Sequence, residues 1–161
     1  MKRVCICPGS FDPVTEGHLD IIRRASRLFD EVVVAVLHNR AKAGFLPVEE
    51  RLRLIRLACA GLDNVTADSW DGLLADYVER TGAVCVVKGL RGVDDLVPET
   101  RMAELNRRLN PAVETVFLAA RPEHECLSSS AVREILAFGG SVAGLVPPAV
   151  EAALNERLRL E

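Results

Sequence analysis

A histidine at position 18 closes a stretch rich in glycine and proline whose residue types suit phosphate chemistry. The stretch, residues 7–18, reads C-P-G-S-F-D-P-V-T-E-G-H and lies between an apolar run at 4–7 and an amphipathic run that begins at Leu19. We therefore expect a strand, a loop and the start of a helix. Unpaired N–H groups and the positive end of the helix dipole favour an anion at such a junction. We interpret the loop as a nucleotide-phosphate site in which His18 faces the reacting phosphorus.

The same loop has an ordinary structural interpretation. Pro-Gly and Asp-Pro pairs are common in turns, and a single histidine at a helix start is often only a polar cap. Gly9 and Gly17 nevertheless remove side chains where phosphates approach, and Pro8 and Pro13 stiffen the loop. From these residues alone, a simple turn and a phosphate site both remain open.

Further basic and hydroxyl residues follow apolar runs later in the chain. Lys42 lies in a polar loop after residues 32–37, and Lys88 directly follows residues 83–87. A run of serines at 128–130 opens a later helical segment. Ligands of open parallel sheets gather at the carboxyl ends of the strands. We therefore expect these groups to meet the first loop at one edge of a sheet.

Each of these groups also has a simpler explanation. Loop lysines such as Lys42 are usually solvated. Three serines can act only as a helix N-cap, although hydroxyls and free N–H groups at a helix start also suit a phosphate. Lys88 is less easily explained, because a charge at the end of a buried strand must reach solvent or meet an anion. We favour the anion for Lys88.

The elements that must position these groups alternate between strand and helix. Apolar runs rich in β-branched residues predict buried parallel strands, and apolar residues three and four apart predict helices between them. We therefore predict an α/β fold, a single-domain Rossmann-like doubly wound parallel sheet over residues 1–161 with a C-terminal helical tail. The predicted strands are 4–7, 32–37, 64–67, 83–87 and 115–119, and the later predicted helices are 47–59, 71–80, 99–109, 128–138 and 148–158.

The net charge, the cysteines and the lengths of the apolar runs argue against several classes of protein. The net charge of −3 over 161 residues does not suggest nucleic-acid binding. Five cysteines without a C-x-x-C pair indicate reduced, buried thiols in a cytoplasmic protein, and no further ligands follow Cys5 and Cys7 at metal-binding spacing. We expect no signal peptide and no membrane span, because the longest apolar run, 32–37, is far too short.

The first loop and several later segments together resemble one family. The string P-G-S-F-D-P-V-T-E-G-H is similar to the signature of the T/H-x-G-H nucleotidyltransferases, and specifically of the phosphopantetheine adenylyltransferases of coenzyme A biosynthesis. The resemblance extends over nearly the whole chain. It includes N-R-A-K at 39–42, E-E-R at 49–51, V-K-G-L-R at 87–91, M-A-E-L-N at 102–106, L-S-S-S at 127–130 and G-G-S-V-A-G-L-V-P at 139–147.

This resemblance implies a nucleotidyltransferase fold and a reaction. The expected reaction transfers the adenylyl group of ATP to 4′-phosphopantetheine and gives dephospho-coenzyme A and pyrophosphate. The expected cofactor is Mg²⁺, held mainly by phosphates rather than by protein side chains. The expected partners are ATP, 4′-phosphopantetheine and further copies of the chain in a cytoplasmic homohexamer, with no nucleic acid and no membrane.

The resemblance also assigns residues by position. The implied catalytic residues are His18 and Lys42. The implied ATP contacts are Ser10, Phe11, His18, Gly89, Leu90, Arg91, Glu99, His124, Glu125, Cys126, Leu127, Ser128, Ser129 and Ser130. The implied phosphopantetheine contacts are Ser10, Lys42, Leu74, Lys88, Met102, Leu105 and Asn106. Met102 and Leu105 suit the protein core equally well.

Some positions depart from the commonest family pattern. Ser10 stands where threonine is usual, which keeps the hydroxyl, and Lys88 stands where arginine is frequent, which keeps the charge but loses the bidentate geometry. His124 and Cys126 stand where aromatic residues are common, so the contact with adenine departs from the pattern. Pro98 replaces an aromatic residue, so we expect the start of its helix to differ from the family pattern.

Two other functions stay open from the sequence. One is nucleotidyl transfer to another acceptor, such as nicotinamide mononucleotide or glycerol phosphate. Relatives of that kind generally show H-x-G-H where this chain has T-E-G-H at 15–18, and they lack the V-K-G-L-R segment. The other is an ATP-binding module without turnover. Pyrophosphate release with each acceptor in turn distinguishes the three functions.

Overall fold

A computed structural model describes residues 2–38 and 44–160 as a parallel sheet flanked by helices. The sheet has five strands in the order β3-β2-β1-β4-β5, all parallel. The strands are β1 (Val4–Gly9), β2 (Glu31–Leu37), β3 (Val65–Trp70), β4 (Cys85–Leu90) and β5 (Thr115–Ala119). The helices are α1 (Glu16–Leu28), α2 (Val48–Ala58), α3 (Leu74–Thr81), α4 (Val93–Leu109), α5 (Ser129–Ala137) and α6 (Pro148–Leu160), with a 3₁₀ turn at Pro122–His124.

The strand order places a crevice beside β1. The chain runs outward from β1 through β2 to β3 and then returns to form β4 on the other side of β1. The connection that leaves the carboxyl end of β1 therefore leads toward β2, and the connection that leaves the end of β4 leads the other way, toward β5. Such a switch point is where open α/β sheets bind ligands. The predicted doubly wound parallel sheet and its C-terminal helix are confirmed.

Both faces of the sheet are buried, as the continuous apolar strands predict. Alternate residues of β2 serve the two sides: Val34 packs in the cluster that includes Ile22 of α1 and Ile55 of α2, and Val33 packs in the cluster that includes Tyr77 of α3. The C-terminal helix α6 joins the first cluster through buried Val150 and Leu154, and α5 joins it through Val132 and Leu136.

Several element boundaries differ from the sequence prediction, and two of them, at the end of β4 and the start of α4, affect the crevice. The fourth strand continues beyond residue 87 to Leu90, because β4 stays paired with β5 from Lys88, opposite Phe117, to Leu90, opposite Ala119. The following helix begins at Val93 rather than at 99, with Pro98 inside it. A proline removes one backbone hydrogen bond, so the sequence suggested a boundary there. Lys88 is therefore part of a strand, and α4 starts directly above the crevice.

Gly89→Ala is expected to lower the free energy of unfolding by about 1–3 kcal/mol, because overpacking forces neighbouring side chains off their preferred positions. A Cβ atom at Gly89 would lie only 2.9 Å from Cγ1 of Ile21, the α1 residue packed against β4. Gly61→Ala is the matched control, because a Cβ atom there would meet nothing within 4 Å. Urea unfolding measures both variants. Equal stability losses in the two would show that the close approach of β4 and α1 is unimportant.

Candidate active site

A cavity of about 330 Å³ opens at the carboxyl ends of β1 and β4. Its walls come from the β1–α1 loop, the end of β4, the start of α4 and the first turn of α5. These segments lie far apart in sequence, and the parallel sheet brings them to one edge. The cavity contains twelve of the residues that the sequence assigned to the site: Ser10, Phe11, His18, Lys88, Gly89, Arg91, Glu99, His124, Leu127, Ser128, Ser129 and Ser130.

The remaining assigned residues do not line the cavity or cannot be placed. Lys42 lies outside the described residues. Leu90 ends β4, where its carbonyl accepts a hydrogen bond from the backbone N–H of Ala120, and Glu125 and Cys126 are exposed beside the 3₁₀ turn. The assigned phosphopantetheine contacts outside the cavity are Leu74 at the start of α3, and Met102, Leu105 and Asn106 on α4. Their assignment stays a prediction.

Met102 and Leu105 do not belong to the core. They are 53% and 52% exposed, whereas Asn106, also on α4, is buried. The alternative interpretation of the two apolar residues as core side chains is therefore wrong for the described chain. Their spacing gave only their helical position, because periodicity does not show which side of a helix faces the protein.

The start of α1 holds His18 in one orientation. Thr15 is the N-cap: its Oγ1 accepts a hydrogen bond from the backbone N–H of His18, and its own backbone N–H donates to His18 Nδ1 at 3.0 Å. This is a reciprocal capping arrangement in which the histidine takes the place that a glutamate or glutamine usually holds. Because Nδ1 accepts, the neutral ring carries its proton on Nε2. That N–H is then free to donate into the cavity.

The surroundings of His18 keep its ring neutral. Burial, together with the nearby positive charges of Arg91 and Lys88, lowers the pKa of His18 from its ordinary value of 6.5 to about 4. At neutral pH the site therefore presents a neutral N–H donor beside two cations. Phe11 packs edge-on against the imidazole, with ring centroids 5.0 Å apart, and limits its rotation.

The titration of His18 in the free protein is expected to have a midpoint near pH 4. The folded chain then binds this proton more weakly than the unfolded chain does, so His18 contributes stability that is present above pH 6.5 and is lost as the pH falls through about 4. NMR of ¹³C-labelled histidine, assigned by comparison with His18→Ala, measures the midpoint. Added pyrophosphate should raise it, because an anion favours the charged ring. A midpoint near 6.5 in the free protein would contradict this electrostatic account.

The β1–α1 loop is held in a strained conformation from both sides. Phe11 adopts a positive φ of 46°, which is uncommon for a residue with a side chain. Behind it, Arg51 of α2 donates to the carbonyl of Ser10 at 3.3 Å and pairs with buried Asp12, Nε to Oδ1, at 3.3 Å. In front, Arg133 of α5 donates to the carbonyl of Asp12 at 2.7 Å. These contacts on both sides hold the loop in its strained conformation, which a strained backbone needs in order to persist.

Asp12 also attaches the segment after β2 to this loop. Its Oδ2 and Oδ1 accept hydrogen bonds from the backbone N–H groups of Phe45 and Leu46, each at 2.8 Å, and Arg51 Nε donates to the carbonyl of Leu46. The two connections that leave β1 and β2 are thus fixed to each other. The ion pair was not predicted, although its residues belong to the P-G-S-F-D-P and E-E-R segments.

Two cations on the β4 side are paired with carboxylates of α4. Lys88 Nζ lies 3.3 Å from Glu99 Oε2, and Arg91 forms two hydrogen bonds of 3.0 and 3.1 Å between its guanidinium and the Asp95 carboxylate. This contact with Arg91 holds the pKa of Asp95 below its ordinary value. The carboxylates of α4 therefore neutralise these two cations at the edge of the cavity.

The serines at the start of α5 are already hydrogen bonded. Ser128 is the N-cap and accepts from the backbone N–H of Ala131, while Ser129 Oγ donates to the carbonyl of Pro13. Ser130 Oγ accepts from Arg133, one turn further along the helix. The N-cap prediction is confirmed at Ser128 and the run lines the cavity, while its role as a phosphate site stays a prediction. Free N–H groups at the helix start add a positive potential.

Arg133 and Asp95 line the cavity and were missed from the sequence. The signals were local: Arg133 follows Ser130 by three residues on a helix, and Asp95 follows Arg91 by four. Within residues 2–38 and 44–160, no carboxylate lies in ion-pair distance of Arg133, unlike Lys88 and Arg91. Arg133 therefore brings an uncompensated positive charge to the α5 side of the cavity.

Cys7 lines the cavity, but a hydrogen bond with Cys5 and burial raise the pKa of its thiol well above the ordinary value, so it stays protonated. In the part of the chain that the structure describes, no three His, Cys, Asp or Glu side chains are arranged to hold a metal ion. The same part contains no helix long and apolar enough to cross a membrane.

Known proteins resemble this chain in sequence and in fold. The profile of the cytidylyltransferase-like family matches residues 6–135. A putative nicotinate-nucleotide adenylyltransferase from Vibrio parahaemolyticus superposes with a TM-score of 0.74 at 19% identity and covers 97% of this chain and 93% of its own. The lipopolysaccharide core biosynthesis protein of Thermoplasma volcanium gives 0.58 at 20% identity over 75% of this chain and 99% of its own. At such identities the two structures support the fold alone. The fold and the cationic cavity thus define a nucleotidyltransferase-type protein.

Curated relatives narrow this class. The phosphopantetheine adenylyltransferase of Rubrobacter xylanophilus is 56% identical over 147 residues, which cover 91% of this chain and 90% of that protein. Those of Streptomyces coelicolor and Clostridium novyi are 52% and 50% identical, with coverage of 98% and 90% of both chains. The chain belongs to the phosphopantetheine adenylyltransferase family.

Proposed function

We propose that this protein transfers the adenylyl group of ATP to 4′-phosphopantetheine, with formation of dephospho-coenzyme A and release of pyrophosphate. The observation that carries the proposal is the His18 site: a neutral Nε2–H donor, fixed by Thr15 and flanked by Lys88 and Arg91, at the switch point of the sheet. The relatives that bear this activity in their names share about half of the sequence over nearly the full length.

The reaction needs placement and charge stabilisation rather than a base. A phosphate oxygen of phosphopantetheine attacks the α-phosphorus of ATP in line, a new P–O bond forms, and the bond from the α-phosphorus to the bridging oxygen of the β-phosphate breaks. The attacking oxygen is already an anion, so no proton has to be removed and no covalent enzyme intermediate is required. The protein must hold two mutually repelling anions together and stabilise the charge on the α-phosphate.

The described residues suit these tasks. His18 donates Nε2–H to a non-bridging oxygen of the α-phosphate, where charge increases in the transition state. Arg133 and the N-terminus of α5 also line the cavity and suit the β- and γ-phosphates, because no described carboxylate pairs with Arg133. Substrate phosphates would replace the α4 carboxylates as partners of Lys88 and Arg91. Lys42 is proposed as a second cation on the reacting phosphate.

Mg²⁺ is proposed as the cofactor, and the donor set fits an ion that is carried by the triphosphate. Mg²⁺ keeps several waters and is commonly bound through substrate phosphates with one or two carboxylates. The carboxylates that line the cavity are Asp95 and Glu99, each paired with a cation. When bound, the ion would neutralise phosphate charge and orient the leaving pyrophosphate.

Pyrophosphate release from ATP and Mg²⁺ tests the proposed reaction. The protein is assayed with 4′-phosphopantetheine, nicotinamide mononucleotide and glycerol phosphate in separate reactions, with mass spectrometry of the products. We expect release only with 4′-phosphopantetheine, together with a dephospho-coenzyme A product. Release only with another acceptor would overturn the proposed substrate, and ATP binding without release from any acceptor would indicate a binding module.

The proposal also includes the oligomeric state and the cellular location of the enzyme. We propose a homohexamer in the cytoplasm, as the resemblance to the family implies. The buried reduced thiols of Cys5, Cys7, Cys59 and Cys85 are compatible with a reducing compartment. Light scattering measures the assembly, and fractionation of cells measures the location.

A further inference from the structure

Helix α1 buries a carboxylate that the proposed reaction does not use. Asp20 is 8% exposed, and it carries the only charge among the buried residues of α1, which are Leu19, Asp20, Ile21, Ile22 and Ala25. Burying a charge is costly unless the charge is paired and hydrogen bonded. Asp20 lies two positions after His18 but is not among the described residues that line the cavity. Its partners therefore have to explain why it is there.

Two arginines share the Asp20 carboxylate. Arg24 Nη1, one turn further along α1, lies 3.3 Å from Asp20 Oδ2, and Arg121 Nε lies 3.1 Å from Asp20 Oδ1. The same Nη1 atom of Arg24 donates to the carbonyl of Ala119 at 2.7 Å. Ala119 ends β5, and Arg121 directly precedes the 3₁₀ turn. The three charged side chains therefore attach the connection after β5 to helix α1.

The attached connection forms one wall of the cavity. Ala120, next to Arg121, lines the cavity, and so do His124 and Leu127. The carbonyl of Arg121 accepts a hydrogen bond from the backbone N–H of His124 at 2.8 Å, and the carbonyl of His124 accepts one from Leu127 at 3.1 Å. A continuous series of contacts thus leads from the Asp20 carboxylate to this wall.

The same wall approaches the first turn of α1. A Cβ atom at Gly17 would lie 3.6 Å from Cβ of His124 and 3.8 Å from Cδ2 of Leu127. Gly17 directly precedes His18. Helix α1 therefore carries both the N–H donor of the site and the carboxylate that attaches the wall. The distance between the donor and the wall is set within one rigid element.

The chemistry of the wall differs from that of the rest of the cavity. Lys88, Arg91 and Arg133 bring positive charge that suits a triphosphate. The wall of Ala120, His124 and Leu127 offers an imidazole and two apolar side chains, which suit the flat face of a nucleotide base better than a phosphate. A nucleotide whose base contacts the wall then has its phosphates on the side of His18 and the cations.

We propose that Asp20 is a positioning residue for the nucleotide. Through Arg24 and Arg121 it holds the wall at a fixed distance from His18, so that a base bound at the wall brings the α-phosphate to Nε2 of His18. The inference deepens the proposed function and rests on ATP as the nucleotide. Stability alone explains the network poorly, because a buried ion pair often contributes no more than apolar residues of similar volume.

A comparison of two ligands separates positioning from folding. Isothermal titration calorimetry measures the affinity for ATP and for tripolyphosphate, each with Mg²⁺ and without acceptor. In Asp20→Asn and in Arg121→Ala, the dissociation constant of ATP is expected to rise about tenfold. The dissociation constant of tripolyphosphate should stay unchanged, because this ligand lacks the base but keeps the cations. Arg121→Lys keeps the charge and should lose less ATP affinity than Arg121→Ala.

A double variant shows whether the two residues act together. Adding Arg121→Ala to Asp20→Asn should weaken ATP binding little further, because the partner of Arg121 is already gone. Arg53→Ala is the matched control: Arg53 also forms an arginine–carboxylate pair, with Glu50 on α2, but this pair lies outside the cavity. It should leave both dissociation constants unchanged. Arg121 is half exposed, so its variants should fold even if Asp20→Asn does not.

Three results would overturn the positioning role: unchanged ATP affinity in Arg121→Ala, equal weakening of ATP and tripolyphosphate binding, or an equal effect in Arg53→Ala. Pyrophosphate release by the wild-type protein is assayed separately. Release by the wild type together with normal ATP binding by the variants would remove the inference and leave the reaction. Selective loss of ATP affinity in the variants of a protein that releases no pyrophosphate would remove the reaction and leave the positioning role.

Discussion

His18→Ala is expected to reduce the turnover number by about 100-fold or more, since loss of one donor that stabilises the transition state typically costs ~3–4 kcal/mol. The ring places an N–H donor at the switch point, and Thr15 and Phe11 fix its direction. The effect should fall mainly on the turnover number. ATP keeps its contacts with the cations of the cavity, so its Michaelis constant should change less.

A conservative variant separates chemistry from folding. His18→Gln retains an amide N–H donor and should keep more activity than His18→Ala. His18→Ala loses the reciprocal hydrogen bond between the Thr15 N–H and the ring, whereas glutamine is a usual residue at this capping-box position, so thermal unfolding should show a small loss of stability in His18→Ala and a smaller one in His18→Gln. Turnover of His18→Ala close to that of the wild type would remove His18 from the catalytic role.

Asp12→Ala is expected to lower the free energy of unfolding by about 3–5 kcal/mol, the usual cost of leaving one member of a buried ion pair without its partner. Asp12 and Arg51 are 6% and 7% exposed. Without the carboxylate, the Arg51 guanidinium and the N–H groups of Phe45 and Leu46 lose their acceptor. Urea unfolding measures the loss.

Two further variants test whether burial of the ion pair causes the loss of stability in Asp12→Ala. Asp30→Ala removes a carboxylate that pairs with Arg3 at the surface, and such exposed pairs contribute little to stability. The double variant Asp12→Ala/Arg51→Met removes both buried charges and should recover part of the lost stability. A loss in Asp12→Ala no larger than that in Asp30→Ala would contradict the importance of the buried pair.

The sheet and most of its elements could be predicted because their signals are local. The apolar run of β2 and the Pro-Gly loop after β1 define a strand and a junction without knowledge of the rest of the chain. Because parallel sheets bind ligands at the carboxyl ends of their strands, the sequence correctly placed His18, Lys88 and the serines of α5 at one cavity. The edge strand β3 was predicted too short, at 64–67 rather than Val65–Trp70, because polar Asp68 and Ser69 interrupt the apolar run although they pair with β2.

The details of the cavity depend on tertiary contacts that no local pattern contains. Asp12 and Arg51 are 39 positions apart, and each alone reads as an ordinary loop or helix charge. From the sequence, Arg133 is expected to be a solvated helix residue, whereas in the fold it donates to the carbonyl of Asp12. In α4 the apolar periodicity was clear, but whether those residues face inward depends on the neighbours. The polar inward side follows from the cations of β4, which the sequence placed in another segment.

The most direct test of the account is a crystal structure with a non-reactive ATP analogue, α,β-methylene-ATP, and Mg²⁺. The account predicts the triphosphate in the cavity between β1 and β4, with an oxygen of the α-phosphate about 3 Å from His18 Nε2. It also predicts that at least one of Lys88 and Arg91 has exchanged its α4 carboxylate for a phosphate. Nucleotide bound elsewhere on the protein, or bound here with the imidazole turned away from the α-phosphate, would contradict the central claim.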